Sequence, residues 1–166
     1  VYRPIEKEFK AFPSRRNVAM AMLRHGLRVS KNGEIFCGDI ELSPVKIGRV
    51  VGCDRRVVID TARMIAKDQG LFSIFSQLRP TLFVGGGARS LGFGFIEIRA
   101  DPNSVGLVAR VTKVLAREGI MIRQIVADDP EIYPEPKLTI VTNGKLPPKV
   151  IAEIQKMRDI DRISLE

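Results

Sequence analysis

The sequence has no tryptophan, one histidine and two cysteines. Without a histidine–cysteine set at ligand spacing, no zinc site is expected. Cys37 and Cys53 read as buried free thiols rather than a disulfide. No serine–histidine–acid or cysteine–histidine group can be assembled around His25, so the chain is not expected to be an enzyme, and no cofactor is expected. No apolar run is long enough to cross a bilayer. The opening "VYRPIEKEFK" lacks the apolar centre of a signal peptide, so a cytoplasmic location is expected. Acidic residues are scarce in one half. Residues 1–80 hold 15 Lys/Arg against 8 Asp/Glu, whereas residues 81–166 hold 12 against 11. Of the net charge of +8, all but one unit therefore belongs to the front, which predicts a front that meets an anion.

Apolar residues make up 45% of the 166, enough to bury a core and to exclude global disorder. The glycine-rich "FVGGGARSLGFG" (83–94) separates two well-patterned stretches. The expected division is a basic unit over 1–80, a linker over 81–92 and a second unit over 93–166. "GGG" at 85–87 lacks the Lys-Ser/Thr of a phosphate-binding loop and reads as a hinge.

In the first unit, "PSRRNVAMAMLRHG" (13–26) reads as a helix capped by Ser14, closed by Gly26 and facing inward through Val18, Ala21, Met22 and His25. Asn32-Gly33 signals a two-residue turn in a small two-stranded ribbon, with Leu27, Val29, Ile35 and Cys37 alternating. Ser43 and Pro44 open a second helix. After "GCD", Asp54 caps a third over 55–69, ended by Gly70. Phe72, Phe75 and Leu78 then suit one face of a short helix, read as a packing link between the units.

Helix, three-residue turn, helix is a DNA-reading geometry. Two arginines, Arg55 and Arg56, stand in the first turn of the third helix, where the dipole prefers acids. A polyanionic partner explains them. Val58, Ala62, Ile65 and Thr61 form the inward stripe, while Arg55, Arg56, Ile59, Asp60, Arg63 and Lys67 share the outward face. Arginine pairs with guanine in the major groove, and an aliphatic tip touches a thymine methyl. Lys46 and Arg49 on the preceding helix are expected on phosphates, with Arg15, Arg16 and Lys31 adding to them.

"SPVKIGRVVGCDRRVVIDTAR" resembles the helix-turn-helix of bacterial and archaeal regulators. Gly52 matches the turn glycine, Gly48 stands for the usual small residue in the first helix, and Val58 matches an inward position. Thr61 departs from the usual aliphatic. The alternatives are that this helix pair only packs against the second unit or mediates dimers, or that it meets RNA or another polyanion.

The second unit is patterned βαββαβ. Its strands are 94–100, 120–128, 136–143 and 160–166, and its helices 104–119 and 147–157. Leu107, Val108, Val111, Val114 and Leu115 face inward on the first helix. The fold class expected for the whole chain is α+β. "IEIRADPNSVGLVARVTKVLAREGIMIRQI" (96–125) resembles an ACT domain, a ferredoxin-like sensor that often binds amino acids. The chain as a whole is similar to archaeal predicted regulators of amino-acid metabolism, which join such a domain to a basic N-terminal unit. That resemblance implies a homodimer or higher oligomer and an amino-acid effector. It implies a site made by Asp101, Asn103, Ser104, Val105 and Gly106, with Met121, Arg123 and Gln124 across the interface in a neighbouring copy. The loop Asp-Pro-Asn-Ser-Val-Gly is longer than the family's, which usually has proline just before the glycine.

The function expected is a DNA-binding regulator of amino-acid metabolism, with no membrane association. The rival is a regulatory subunit that docks on a biosynthetic enzyme through its N-terminal unit. "DDPEIYPEP" (128–136) reads as a solvated connection between strands.

Overall fold

Prolines at the first or second helical position open three helices in the front half: α1 (Arg3–Phe9), α2 (Pro13–Arg24) and α3 (Pro44–Val51). Between α2 and α3 lie three short strands, β1 (Leu27–Val29), β2 (Ile35–Cys37) and β3 (Ile40–Glu41). Then follow α4 (Arg55–Lys67) and α5 (Gln69–Phe75). This computed structural model describes residues 2–165. The chain divides into two units, Val1–Thr81 and Leu82–Glu166.

The first unit buries one core. Val18 and Met22 of α2, Leu27, Val29 and Ile35 of the ribbon, Ile47 of α3, Val58, Ala62 and Ile65 of α4 and Leu71 and Phe75 of α5 all belong to it. Helix α1, not expected from the sequence, contributes Ile5 and Phe9, both fully buried. Helix α2 faces inward through Val18, Ala19 and Met22 rather than through Ala21 and His25, and His25 is an exposed C-cap. Pro13 is already helical, so Ser14 lies inside the helix and caps nothing. Asp68, not Gly70, marks the end of α4. Its carboxylate accepts from the Leu71 amide at 2.7 Å and starts α5, so Gly70 sits in the first turn of a new helix. Leu71 and Phe75 of α5 close the first unit's own core, where the sequence suggested a link between units.

The ribbon is an antiparallel three-stranded sheet, β1-β2-β3, one strand more than expected. Its tip is also longer than two residues. Ser30 pairs with Glu34, and Gly33 takes a φ of 82° while its amide reaches the Ser30 carbonyl. That is a three-residue loop with a left-handed residue last.

The second unit runs β4 (Gly94–Ala100), α6 (Leu107–Arg117), β5 (Ile122–Ala127), β6 (Leu138–Thr142), α7 (Pro148–Gln155) and β7 (Ile160–Ser164). The four strands form one antiparallel sheet in the order β5-β6-β4-β7. Chain and fold class are thus α+β, with one three-stranded and one four-stranded antiparallel sheet. Ile96 and Ile98 of β4 and Leu138 and Ile140 of β6 pack on Val111, Val114 and Leu115 of α6 and on Val150 and Ile154 of α7. Val108 faces solvent instead of this core.

The other face of the sheet is partly covered by the glycine-rich segment. Ala88 packs with Phe95 and Val141, joined by Val84 and Phe93, and Gly85–Gly87 form a single 3-10 turn. Of residues 81–92, expected as a linker, Val84 and Ala88 thus pack on the sheet of the second unit. The apolar Val84, Ala88 and Phe93 among the glycines supply the reason.

Candidate functional site

Helices α3 and α4 are joined by a turn that two glycines permit. Gly52 is left-handed, with φ 75° and ψ 36°. Gly48 lies one helical turn earlier, and a side-chain carbon there would sit 2.6 Å from the Cys53 carbonyl oxygen. The Cys53 amide donates to the Gly48 carbonyl at 2.9 Å, which fixes the crossing. Cys53 is half-buried in this turn, and burial, then the Asp54 charge, pushes its thiol pKa up. Both cysteines are free.

Asp54 is the N-cap of α4, and its Oδ1 accepts from the Arg56 amide at 2.8 Å. This carboxylate supplies the negative charge that the helix start requires, so Arg55 and Arg56 can stand there at little cost. Inward, Val58, Thr61, Ala62 and Ile65 are fully buried. Thr61 fits the apolar stripe because its hydroxyl donates to the Val57 carbonyl at 2.6 Å and leaves only its methyl to pack.

Outward, Arg55, Arg56, Asp60, Arg63 and Lys67 are exposed and Ile59 is half-buried. Lys46 and Arg49 are exposed on α3. Among the described residues, none of the six cations Lys46, Arg49, Arg55, Arg56, Arg63 and Lys67 has a salt-bridge partner. The loop that bears Lys31 rests on α4, since a side-chain carbon on Gly33 would lie 3.4 Å from Arg63 Cγ. Two other expected contacts are engaged. Arg15 Nη2 lies 3.6 Å from Asp60 Oδ2, and Arg16 Nη2 donates to Glu6 Oε1 at 3.0 Å. The arrangement presents an uncompensated positive surface with one acid on it, chemically suited to phosphate.

A separate feature of the first unit lies between α2, the ribbon and α3. A groove of about 420 Å³ is lined by Leu27, Leu42, Ile47, Val50 and Val51, with His25 and Lys46 at its edge. Val50 is 77% exposed. The sequence reading missed it. Its signal was an apolar residue off the core-facing stripe of α3, visible as Val50 beside Ile47 and Val51.

In the second unit, the Asp101–Gly106 loop holds itself. Asp101 Oδ1 accepts from the Asn103 amide at 2.9 Å and from Asn103 Nδ2 at 3.2 Å. Ser104 Oγ donates to Asp159 Oδ2 at 3.1 Å and accepts from Arg110 Nη2 at 3.0 Å, while Arg110 Nη1 donates to the Val105 carbonyl at 3.0 Å. Val105 is 91% exposed. Gly106 is the left-handed N-cap of α6 rather than part of its first turn.

A cleft of about 220 Å³ joins Asp101, Ser104, Gly106 and Leu107 to Ala127, Asp128 and Pro130 at the far end of β5. Met121, Arg123 and Gln124 are not part of it. They lie near the start of β5, where the Met121 carbonyl accepts from the Asn143 amide. Within one chain the two halves of the expected ligand site thus sit at opposite ends of a strand. Arg123 and Gln124 are also occupied. Arg123 lies 4.1 Å from the centroid of the Phe93 ring and donates to Asn143 Oδ1 at 3.0 Å. Gln124 accepts from the Val84 amide at 3.1 Å and donates to the Leu82 carbonyl. Both side chains anchor the 82–93 segment, a role that sequence reasoning did not assign. Among the described residues, no group of acids, histidines and cysteines is arranged to hold a metal ion, and no helix is long and apolar enough to cross a membrane.

No family model and no curated protein matches the chain. A solved structure described as "Crystal structure of PH0061" aligns at 9% identity over 75% of this chain and 78% of that chain, with a TM-score of 0.29. A superposition that loose carries no argument about fold or function.

Proposed function

We propose that this chain is a ligand-responsive regulator of amino-acid metabolism that binds duplex DNA through α3 and α4. In this reading the pair is a helix-turn-helix, with α4 in the major groove and α3 on the backbone. The βαββαβ unit is a ferredoxin-like, ACT-type domain that pairs two copies and takes an amino-acid effector. The observation that carries the reading is the set of six exposed, unpaired cations on the outward faces of α3 and α4. Charge left without acid partners repels itself, and a polyanion relieves that repulsion. The order of elements and the left-handed Gly52 support the helix-turn-helix assignment. The strand order β5-β6-β4-β7 supports the ferredoxin-like one.

An effector site made across two copies accommodates the separation of Asp101–Gly106 from Met121 along β5. The loop cleft carries the effector side, and the start of β5 faces it from the partner. Because Arg123 and Gln124 already hold the 82–93 segment, an effector that recruits either of them also loosens that segment.

The test is duplex binding by Arg56→Ala and Arg63→Ala. Each is expected to bind more weakly with an unchanged thermal midpoint, because both side chains are exposed. Unchanged affinity at low salt rejects the assignment. A second reading is favoured by the apolar groove beside α3, which suits a partner protein better than DNA. In that reading the chain is a regulatory subunit that docks on a biosynthetic enzyme. A pull-down that recovers such an enzyme, with no shift of any duplex, selects it.

A further inference from the structure

One residue on the outward face of α4 has the wrong sign for a surface that meets phosphate. Asp60 is the only acid among Arg55, Arg56, Ile59, Arg63 and Lys67, and its side chain is 49% exposed. Arg56 stands four residues before it and Arg63 three after, the spacings at which oppositely charged neighbours pair along a helix. Neither pairs with it. The Asp60 carboxylate is instead held from another helix, by Arg15 of α2 at 3.6 Å. The Arg15 guanidinium also lies 4.8 Å from the centroid of the Phe12 ring. The cross-helix pair sets the acid at ion-pair distance from α2 and leaves Arg56 and Arg63 unengaged.

A carboxylate in this position repels every duplex by its charge, so it lowers affinity without regard to sequence. Its compensating property is selectivity. In the major groove cytosine and adenine offer an amino donor to a carboxylate, adenine with the repelling N7 acceptor beside it, whereas guanine and thymine offer only acceptors there. We infer that Asp60 is a specificity-determining residue, which favours cytosine at one base pair of the bound site, and that Arg15 is its positioning residue. This rests on the reading that α4 meets duplex DNA.

The experiment uses the full chain. Sites are selected from a random duplex pool with the wild type. The selected duplex, its single-base-pair variants and a random-sequence duplex are then titrated with wild type, Asp60→Asn, Arg15→Ala and the double variant. Asp60→Asn is expected to bind random duplex more tightly, with a salt slope steeper by about 1. It is expected to lose a preference of about 5- to 150-fold for cytosine at one position while keeping the others. Arg15→Ala weakens that same preference, and has no further effect on it once Asp60 is Asn. A role confined to folding would move the thermal midpoint and leave base preference alone. Asp60→Asn with the whole preference profile intact overturns the inference and leaves the parent reading standing. A wild-type protein that binds no duplex overturns both.

Discussion

The two units carry similar numbers of cations and spend them differently. In the second, Arg99 pairs with Glu135, Arg110 with Asp159, Arg117 with Glu153, Lys137 with Glu97 and Lys149 with Glu118. In the first, Arg15 and Arg16 pair across helices, but among the described residues the six cations on α3 and α4 have no salt-bridge partner, although Asp54 and Asp60 stand on the same helix. Net charge locates the basic half of the chain, and pairing locates the basic surface within it. Exposed ion pairs add little to stability, so the pairs of the second unit matter mainly because they cancel charge. The first unit keeps its charge where a partner can reach it.

The largest effect that can break this comparison lies in the cores. Ile65→Ala and Ile140→Ala each remove a fully buried side chain, from α4 and β6 respectively. Each is expected to cost about 2–5 kcal/mol in denaturant unfolding. Native-state hydrogen exchange should show faster exchange in α2, α4 and α5 for the first variant and in β4 and β6 for the second. Uniform acceleration across both units would contradict separate cores.

Next come the arginines. Arg56→Ala and Arg63→Ala are each expected to weaken duplex binding by about 5- to 150-fold in a titration at fixed salt. Arg117→Ala, which removes a paired cation of the second unit, should leave it unchanged. A smaller effect sharpens the account of the helix start. Asp54→Ala removes the cap that offsets Arg55 and Arg56 and should cost about 1 kcal/mol in thermal unfolding.

The smallest concerns acid. The hydrogen bond from Lys149 holds the Glu118 carboxyl below the ordinary carboxylate range, against some desolvation, with the Lys149 and Arg117 charges assisting. Its contribution to stability is present above the ordinary carboxylate pKa and lost as pH falls through the lowered value. Lys149→Ala should return the Glu118 titration, followed by NMR, toward the ordinary range.

Much of this was legible in the chain. Asp54, Gly52 and the stripe Val58-Thr61-Ala62-Ile65 gave α4 its start and its inward face. Period-2 and period-3.6 patterning gave the βαββαβ order. What was not legible depended on contacts distant in sequence. Helix α1 is short and weakly patterned, and it holds because Ile5 and Phe9 find the common core. The 82–93 segment is glycine-rich, and only the facing Phe95, Val141 and Gln124 show that it is anchored. The outward face of α4 was readable from spacing, but its pairing was not. Nothing local ties Asp60 to Arg15, 45 positions earlier.

The salt dependence of duplex binding tests the central claim most directly. With α3 on the backbone and Lys46 and Arg49 on phosphates, the account predicts a slope of roughly −2 in log affinity against log salt. Lys46→Ala and Arg49→Ala should each flatten it by about one unit, and Arg117→Ala should not. A flat dependence in the wild type, or equal flattening by the second-unit variant, would contradict the account.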